Sequence, residues 1–165
     1  MKVAIASDHG GVNLRKEIMK LMDEMGIEYV DFGPNGEASV DYPDYAARVA
    51  SAVASGRKNL GILCCTTGIG MSVAANRFSG VQAAVVTNPE LAARTRVHNN
   101  TNVLCLAGDY SSGEEGADIV DAWLGASFES GGRHERRVEK MNSCGVAVSA
   151  PHVAVTDPDI YHAIE

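Results

Sequence analysis

Positive charge is in short supply in this sequence. It has 14 Lys and Arg against 21 Asp and Glu, a formal net charge of −7. So acidic a chain is a poor binder of nucleic acid or of an anionic membrane, and any phosphate site must be a local cationic pocket. Cysteine is sparse too: Cys64, Cys65, Cys105 and Cys144 fit no zinc-ligand spacing and no CxxC redox motif. Reduced thiols in a cytoplasmic protein are the expectation. No apolar run approaches the roughly 18–20 residues that span a bilayer, and the opening MKVAIAS reads as a strand rather than a signal peptide. Aromatics make up only 5%, and Ala, Val and Gly dominate. That bias suits close packing of helices on a parallel sheet.

What is present is an ordinary globular balance, 45% apolar and 21% charged over 165 residues. One domain with one sizeable core is expected. Short apolar runs alternate with segments of helical period. Val3–Ala6, Ile27–Phe32, Leu60–Cys64, Val81–Val86 and Val103–Ala107 read as strands. The apolar face Leu14, Ile18, Leu21, Met22, Met25 is a helix closed by Gly26, and Tyr42–Ser55, Ile69–Arg77, Pro89–Val97, Gly116–Leu124 and Arg133–Asn142 are further helices. Strict β-α alternation with short links predicts α/β architecture: a five-stranded parallel sheet in a Rossmann-like three-layer sandwich, with functional loops at the carboxyl ends of the strands. No repeat, linker or low-complexity stretch interrupts residues 1–143. Residues 144–165 carry no clear period and are expected to form a C-terminal extension, either draped over a partner subunit or partly disordered.

Four polar clusters are expected to converge in that fold: Asp8-His9-Gly10-Gly11, Asp41-Tyr42-Pro43-Asp44, Cys64 to Met71, and Arg96-Val97-His98-Asn99-Asn100. The third is the most informative. Thr66, Thr67, Gly68 and Gly70 lead into a helix, where backbone N–H groups can point at an anion. It is neither a GK[ST] phosphate loop nor a GxGxxG turn. The positive potential of a helix N-terminus favours thiolate, so Cys65 is a candidate base or nucleophile. The ordinary alternative is that both cysteines are small core residues. Successive strand residues face opposite ways, so only one can face the cleft, and Cys64 is assigned to the core.

The other clusters have ordinary alternatives as well. Asp8-His9 can be a cap beside a surface imidazole, His98 can cap its helix, and Tyr42 can be a buried ring. The Arg133, Arg136, Arg137, Lys140 face can be merely solvated, or it can clamp a phosphate. His134, His152, His162, Cys105 and Cys144 have no partner cluster in the sequence.

Together the stretches SDHGG (7–11), VDYPDYA (40–46), GILCCTTGIGMSVAANR (61–77), RVHNNTNVL (96–104), DAWLGA (121–126) and GGRHERRVEKM (131–141) resemble the ribose-5-phosphate isomerase B family, which includes allose- and galactose-6-phosphate isomerases. The resemblance implies Cys65 as catalytic base with Thr67 beside it. One branch of the family instead carries a Glu where this chain has Met71, so the thiol branch is the consistent one. It implies His98 as the ring-opening group, with Asp8 assisting proton movement. It also implies Tyr42 and Asn99 around the sugar, and His9, Arg133 and Arg137 on the phosphate, while the N–H groups from Gly68 to Gly70 are expected to meet the enediolate. It further implies a homodimer or dimer of dimers with active sites between subunits, a phosphosugar substrate, and no metal or organic cofactor.

Three positions differ from the common family pattern: Asn100 stands for Asp, Asp109 for a phosphate-binding Arg, and Gln82 for Arg. The expected reaction is aldose–ketose isomerisation through a cis-enediolate, of the ribose 5-phosphate/ribulose 5-phosphate type. The alternatives are another phosphosugar (tetrose 4-phosphate, allose 6-phosphate or galactose 6-phosphate) and a catalytically inactive phosphosugar-binding module. A redox sensor built on Cys64–Cys65 is disfavoured, because adjacent cysteines close only a strained ring.

Overall fold

The computed structural model describes residues 2–36, 38–57 and 59–144. The expected extension beyond residue 144 lies outside the described residues. Five strands alternate with six helices: β1 (Lys2–Ser7), α1 (Val12–Glu24), β2 (Glu28–Asp31), α2 (Tyr42–Ala54), β3 (Leu60–Cys65), α3 (Ile69–Ala75), β4 (Ala83–Val85), α4 (Pro89–Asn99), β5 (Val103–Ala107), α5 (Gly113–Gly125) and α6 (Arg133–Ser143). A 3-10 turn, His9–Gly11, joins β1 to α1. The strands form one parallel sheet in the order β2-β1-β3-β5-β4. The expected α/β sandwich is the observed fold.

Side-chain alternation along the central strands divides the core in two. Val3, Ile5, Ile62, Cys64, Leu104 and Leu106 face one way, onto Leu14, Ile18 and Met22 of α1 and Ile119 and Trp123 of α5. Ala4, Ala6, Leu63, Cys65, Val103 and Cys105 face the other way, onto α2 and α3. The second face is built from small residues, so α2 approaches closely. A Cβ on Gly61 would sit 2.6 Å from Val49 Cγ1. Among the described residues no helix is long and apolar enough to cross a membrane.

Several element ends differ from the sequence-based expectation, each for a local reason. Helix α5 starts at Gly113 rather than Gly116, because Ser112 and Glu115 form a reciprocal capping box. Helix α4 runs on to Asn99, where Asn100 at φ 51° ends it. Helix α3 stops at Ala75 because Asn76 turns to the sheet edge. Its carboxamide donates to the Ala83 carbonyl at 2.9 Å and accepts from the Ala83 N–H at 2.8 Å. Asn102 does the same one step earlier, accepting from Gln82 N–H at 2.8 Å and donating to Gly80 O at 2.7 Å. Asn76 stands on the outer edge, where a further strand would bond, and Asn102 on the β5 side; β4 between them is shorter than the apolar run 81–86. At the carboxyl end of β1, the buried Arg15 donates to Ser7 Oγ at 3.1 Å and to the Pro34 carbonyl, which fixes the loop after β2.

Candidate active site

The chain turns from β1 outward to β2, then crosses back to place β3 on the other side of β1. In open α/β sheets, such a reversal leaves a crevice beyond the carboxyl ends of the two diverging strands. The Asp8 loop and the Cys65 loop both start there, tied together by the Asp8 N–H donating to the Cys64 carbonyl at 3.1 Å.

Each loop is shaped by side-chain capping and by glycine. Asp8 is 6% exposed, and its Oδ1 accepts from the Gly10 and Gly11 N–H groups at 2.9 and 3.2 Å. His9, the next residue, is exposed, and its Nδ1 accepts from the Val40 N–H at 3.4 Å, leaving Nε2 for a ligand. A Cβ on Gly10 would overlap Thr66 Oγ1, and one on Gly108 would lie 2.5 Å from the Gly10 carbonyl oxygen. The turns after β1, β3 and β5 therefore nest against one another. Tyr42, the first residue of α2, lays its ring over Gly70, where an added Cβ would come within 2.9 Å of it.

Cys65 ends β3 on the α3 face, 5% exposed. Gly68 adopts φ 75°, a left-handed turn open to glycine, and this brings its N–H back to donate to Cys65 Sγ at 3.1 Å. Thr67 Oγ1 accepts from the Ile69 N–H at 3.3 Å. The expected run of free N–H donors from Gly68 to Gly70 is thus shortened. Gly68 is committed to the sulfur and Ile69 to Thr67, while among the described residues nothing accepts from the Gly70 N–H. Met71 is fully buried in the core beneath this turn, where no carboxylate competes with the thiol. Cys64 faces the opposite core and is fully buried, and that burial pushes its thiol well above the ordinary range.

The fourth cluster does not converge with the other three within one chain. A helix crossing between parallel strands runs antiparallel to them, so α4 returns its last turn to the amino ends of the strands. His98 and Asn99 therefore lie at the end of the sheet opposite Cys65. Arg133 and Arg137 sit on α6, which packs against α4 on that side. Sequence adjacency to β5 suggested convergence, and the direction of the crossover prevents it.

At this second end His98 stacks on His134, ring centroids 4.2 Å apart and planes within 3°. His134, which has no partner in the sequence, thus belongs to the cluster. Its place one residue after Arg133 was the available signal. Arg133 Nε donates to His134 Nε2 at 3.4 Å. Partial burial, then the neighbouring His98 and Arg133, push the His134 pKa down and favour the neutral ring. The Glu129 N–H donates to the Val97 carbonyl at 3.1 Å, holding the loop before α6 on the end of α4. His98, Glu129 and His134 bring ligand atoms within 4.8 Å of one another. Parallel stacking, however, keeps the two imidazole lone pairs in separate planes, so they do not converge on one ion. A cavity of about 910 Å³ opens at this end, lined by Gln82, Asn99, Thr101 and Asn142 among others.

Comparison with known proteins decides the family. Residues 3–141 match the family described as ribose/galactose isomerase. The chain belongs to that family. It is accordingly an isomerase, and the resemblance read from the sequence holds. It is 46% identical over 142 residues to ribose-5-phosphate isomerase B of Escherichia coli, covering 86% of this chain and 95% of that one. The structure of ribose-5-phosphate isomerase B from Clostridium thermocellum superposes with a TM-score of 0.84 at 48% identity, covering 86% of this chain and 95% of that chain. That of the Mycoplasma genitalium enzyme, solved with bound ribulose-5-phosphate, superposes with a TM-score of 0.82 at 45% identity, covering 86% and 93%.

Proposed function

We propose that this isomerase interconverts ribose 5-phosphate and ribulose 5-phosphate through a cis-enediolate. Cys65 is the base, and each active site is completed by a second copy of the chain. The observation that carries the composite site is the separation of its parts. Cys65, Thr67, Asp8, His9 and Tyr42 stand at one end of the sheet, with His98, Asn99, Arg133 and Arg137 at the other. Exposed apolar residues border the Cys65 end: Ile69 and Val73, one turn apart on α3, are 59% and 54% exposed, with Tyr42 close by. Such a skirt suits burial by a protein partner. A two-fold arrangement lets each chain bring its second end over the other's first.

In this reading His98 takes the anomeric hydroxyl proton, the ring C1–O bond breaks, and the ring oxygen is protonated to give the open aldehyde. The Cys65 thiolate then removes the C2 proton. Charge moves onto O1, which accepts from Thr67 Oγ1 and the Gly70 N–H in this reading; each well-aimed donor is worth about 2.7–4 kcal/mol in such a role. Return of the proton from sulfur to C1, with a hydroxyl proton carried from O2 to O1 by the uncapped oxygen of Asp8, yields the ketose. His9, Arg133 and Arg137 hold the phosphate, so that binding at a distance positions the reacting carbons.

One observation favours a second substrate. Asp109, an exposed residue just after β5, donates its N–H to the Thr66 carbonyl at 3.2 Å, which ties this acidic position to the Cys65 loop. Negative charge there opposes a phosphate and suits a sugar presented differently, such as a tetrose 4-phosphate or a hexose 6-phosphate. The deciding experiment assays ribose 5-phosphate, erythrose 4-phosphate, allose 6-phosphate and galactose 6-phosphate with the wild type and with Asp109→Arg. Highest kcat/KM for ribose 5-phosphate in the wild type supports the primary reading. Preference for another sugar overturns it, and turnover of none supports an inactive binding module.

A further inference from the structure

The last turn of α4 ends abruptly at Asn100, in the left-handed region at φ 51°. Its final carbonyls have no helical N–H ahead of them. Two are met by one side chain from outside the helix. With its amide nitrogen turned toward them, Gln82 donates to the Asn99 carbonyl at 2.7 Å and to the Asn100 carbonyl at 2.9 Å. In that orientation the Gln82 amide oxygen faces the Asn142 carboxamide, in the last turn of α6, at 2.6 Å, and accepts from it with the Asn142 amide nitrogen turned toward Gln82. The Gln82 backbone is itself fixed: its N–H donates to Asn102 Oδ1 at 2.8 Å, and its carbonyl accepts from the Asn102 and Val103 N–H groups at 3.1 and 3.2 Å. On the core side, Arg96 Nη1 donates to Asn100 Oδ1 at 2.9 Å and to the Thr101 carbonyl at 2.8 Å.

Gln82 is therefore a short bracket joining three bodies. They are the sheet edge, the end of α4 that carries His98 and Asn99, and the helix that carries Arg133 and Arg137. We propose that Gln82 is a positioning residue for His98, setting the end of α4 relative to α6 and so aiming the ring-opening imidazole. This rests on the reading of His98 as the ring-opening group. Placement of this kind is demanding: a shift of about 1 Å in a reacting group can cost on the order of 100-fold in rate. The chemistry at position 82 is specific. Glu has the same shape but would set a carboxylate oxygen against two carbonyl oxygens, whereas Ala leaves both carbonyls to water.

Two measurements on the same purified full-length protein separate positioning from general damage. Ribose 5-phosphate is mainly a closed furanose and needs ring opening before proton abstraction. Ribulose 5-phosphate is acyclic, because its C5 hydroxyl is esterified. Exchange of its C1 proton with solvent deuterium needs only removal and return of that proton by Cys65, and no ring chemistry. Gln82→Ala and Gln82→Glu should each lower kcat for ribose 5-phosphate about 10-fold or more, and leave the exchange rate at saturating ribulose 5-phosphate within about 2-fold of wild type. If both variants keep the ribose 5-phosphate kcat, or if the two rates fall together, Gln82 does not aim His98. The underlying readings fail differently. A wild type with neither isomerisation nor exchange overturns the substrate, and a His98→Asn variant that still isomerises ribose 5-phosphate at the wild-type rate overturns the role of His98.

Discussion

The Gly68 N–H donates to the Cys65 sulfur at 3.1 Å, across a turn that only the left-handed conformation of Gly68 closes. The thiol at the end of β3 is thus oriented by the loop that would also surround the substrate. The neighbouring Cys64 has no such contact and is sealed in the opposite core.

That contrast separates two otherwise similar substitutions. Cys65→Ala should lower kcat by about 1000-fold or more, since a general base is removed outright, with phosphosugar binding retained by calorimetry. Cys64→Ala should keep activity within a few-fold and cost about 1 kcal/mol of stability for the lost buried sulfur. Equal loss of activity in both would mean the pair is structural.

A composite site predicts complementation. Cys65→Ala and His98→Asn should each be inactive toward ribose 5-phosphate alone. Mixed in equal amounts and allowed to re-pair at random, about half of the dimers are hybrids with one intact site of two, so about a quarter of wild-type activity should return. Failure to recover activity once exchange of chains is verified by mass spectrometry would count against the shared site.

The glycines of the crevice should divide by what they face. A Cβ on Gly108 meets the backbone oxygen of Gly10, which cannot move aside cheaply. Gly108→Ala should destabilise the fold by about 1–3 kcal/mol in a denaturant titration. A Cβ on Gly70 meets the rim of the Tyr42 ring, which is 40% exposed and free to tilt. Gly70→Ala should leave the melting temperature nearly unchanged and raise KM. The reverse pattern would show that the loops do not nest as described.

Burial also makes stability depend on alkaline pH. Desolvation holds the Cys64 and Cys105 thiols above the ordinary value of 9.0. Below that pH both are protonated in the folded and the unfolded chain, and their contribution is complete. Above it the unfolded chain ionises first, so stability falls as pH rises past about 9 toward the folded values. Urea midpoints measured between about pH 8 and 10.5 should decline, and Cys105→Ala should flatten the decline. A midpoint that holds steady over this range is the contrary result.

Much of this was readable from the sequence. Short continuous apolar runs such as Val3–Ala6 and period-3.6 faces such as Leu14, Ile18 and Met22 located the sheet and its helices, because the burial that makes them stable is local in pattern. The early start of α5 was readable too, in the Ser112–Glu115 spacing, but the apolar period drew attention three residues further on. Chain direction was the harder problem. His98 lies five residues before β5 and looks near the Cys65 loop in a linear reading, yet a parallel crossover puts it at the far end. His134 and Gln82 acquire meaning only through partners distant in sequence or set by helix phase, the His98 ring for one and the Asn142 carboxamide for the other. Residue type alone does not announce either contact.

The Asn76 carboxamide, bonded to both backbone groups of Ala83, closes off the outer edge of β4. A newcomer strand finds the docking position at Ala83 already taken, which hinders prolonging the sheet from one molecule into the next along that side. At this edge, growth of the sheet into a ribbon of molecules is opposed by a single side chain.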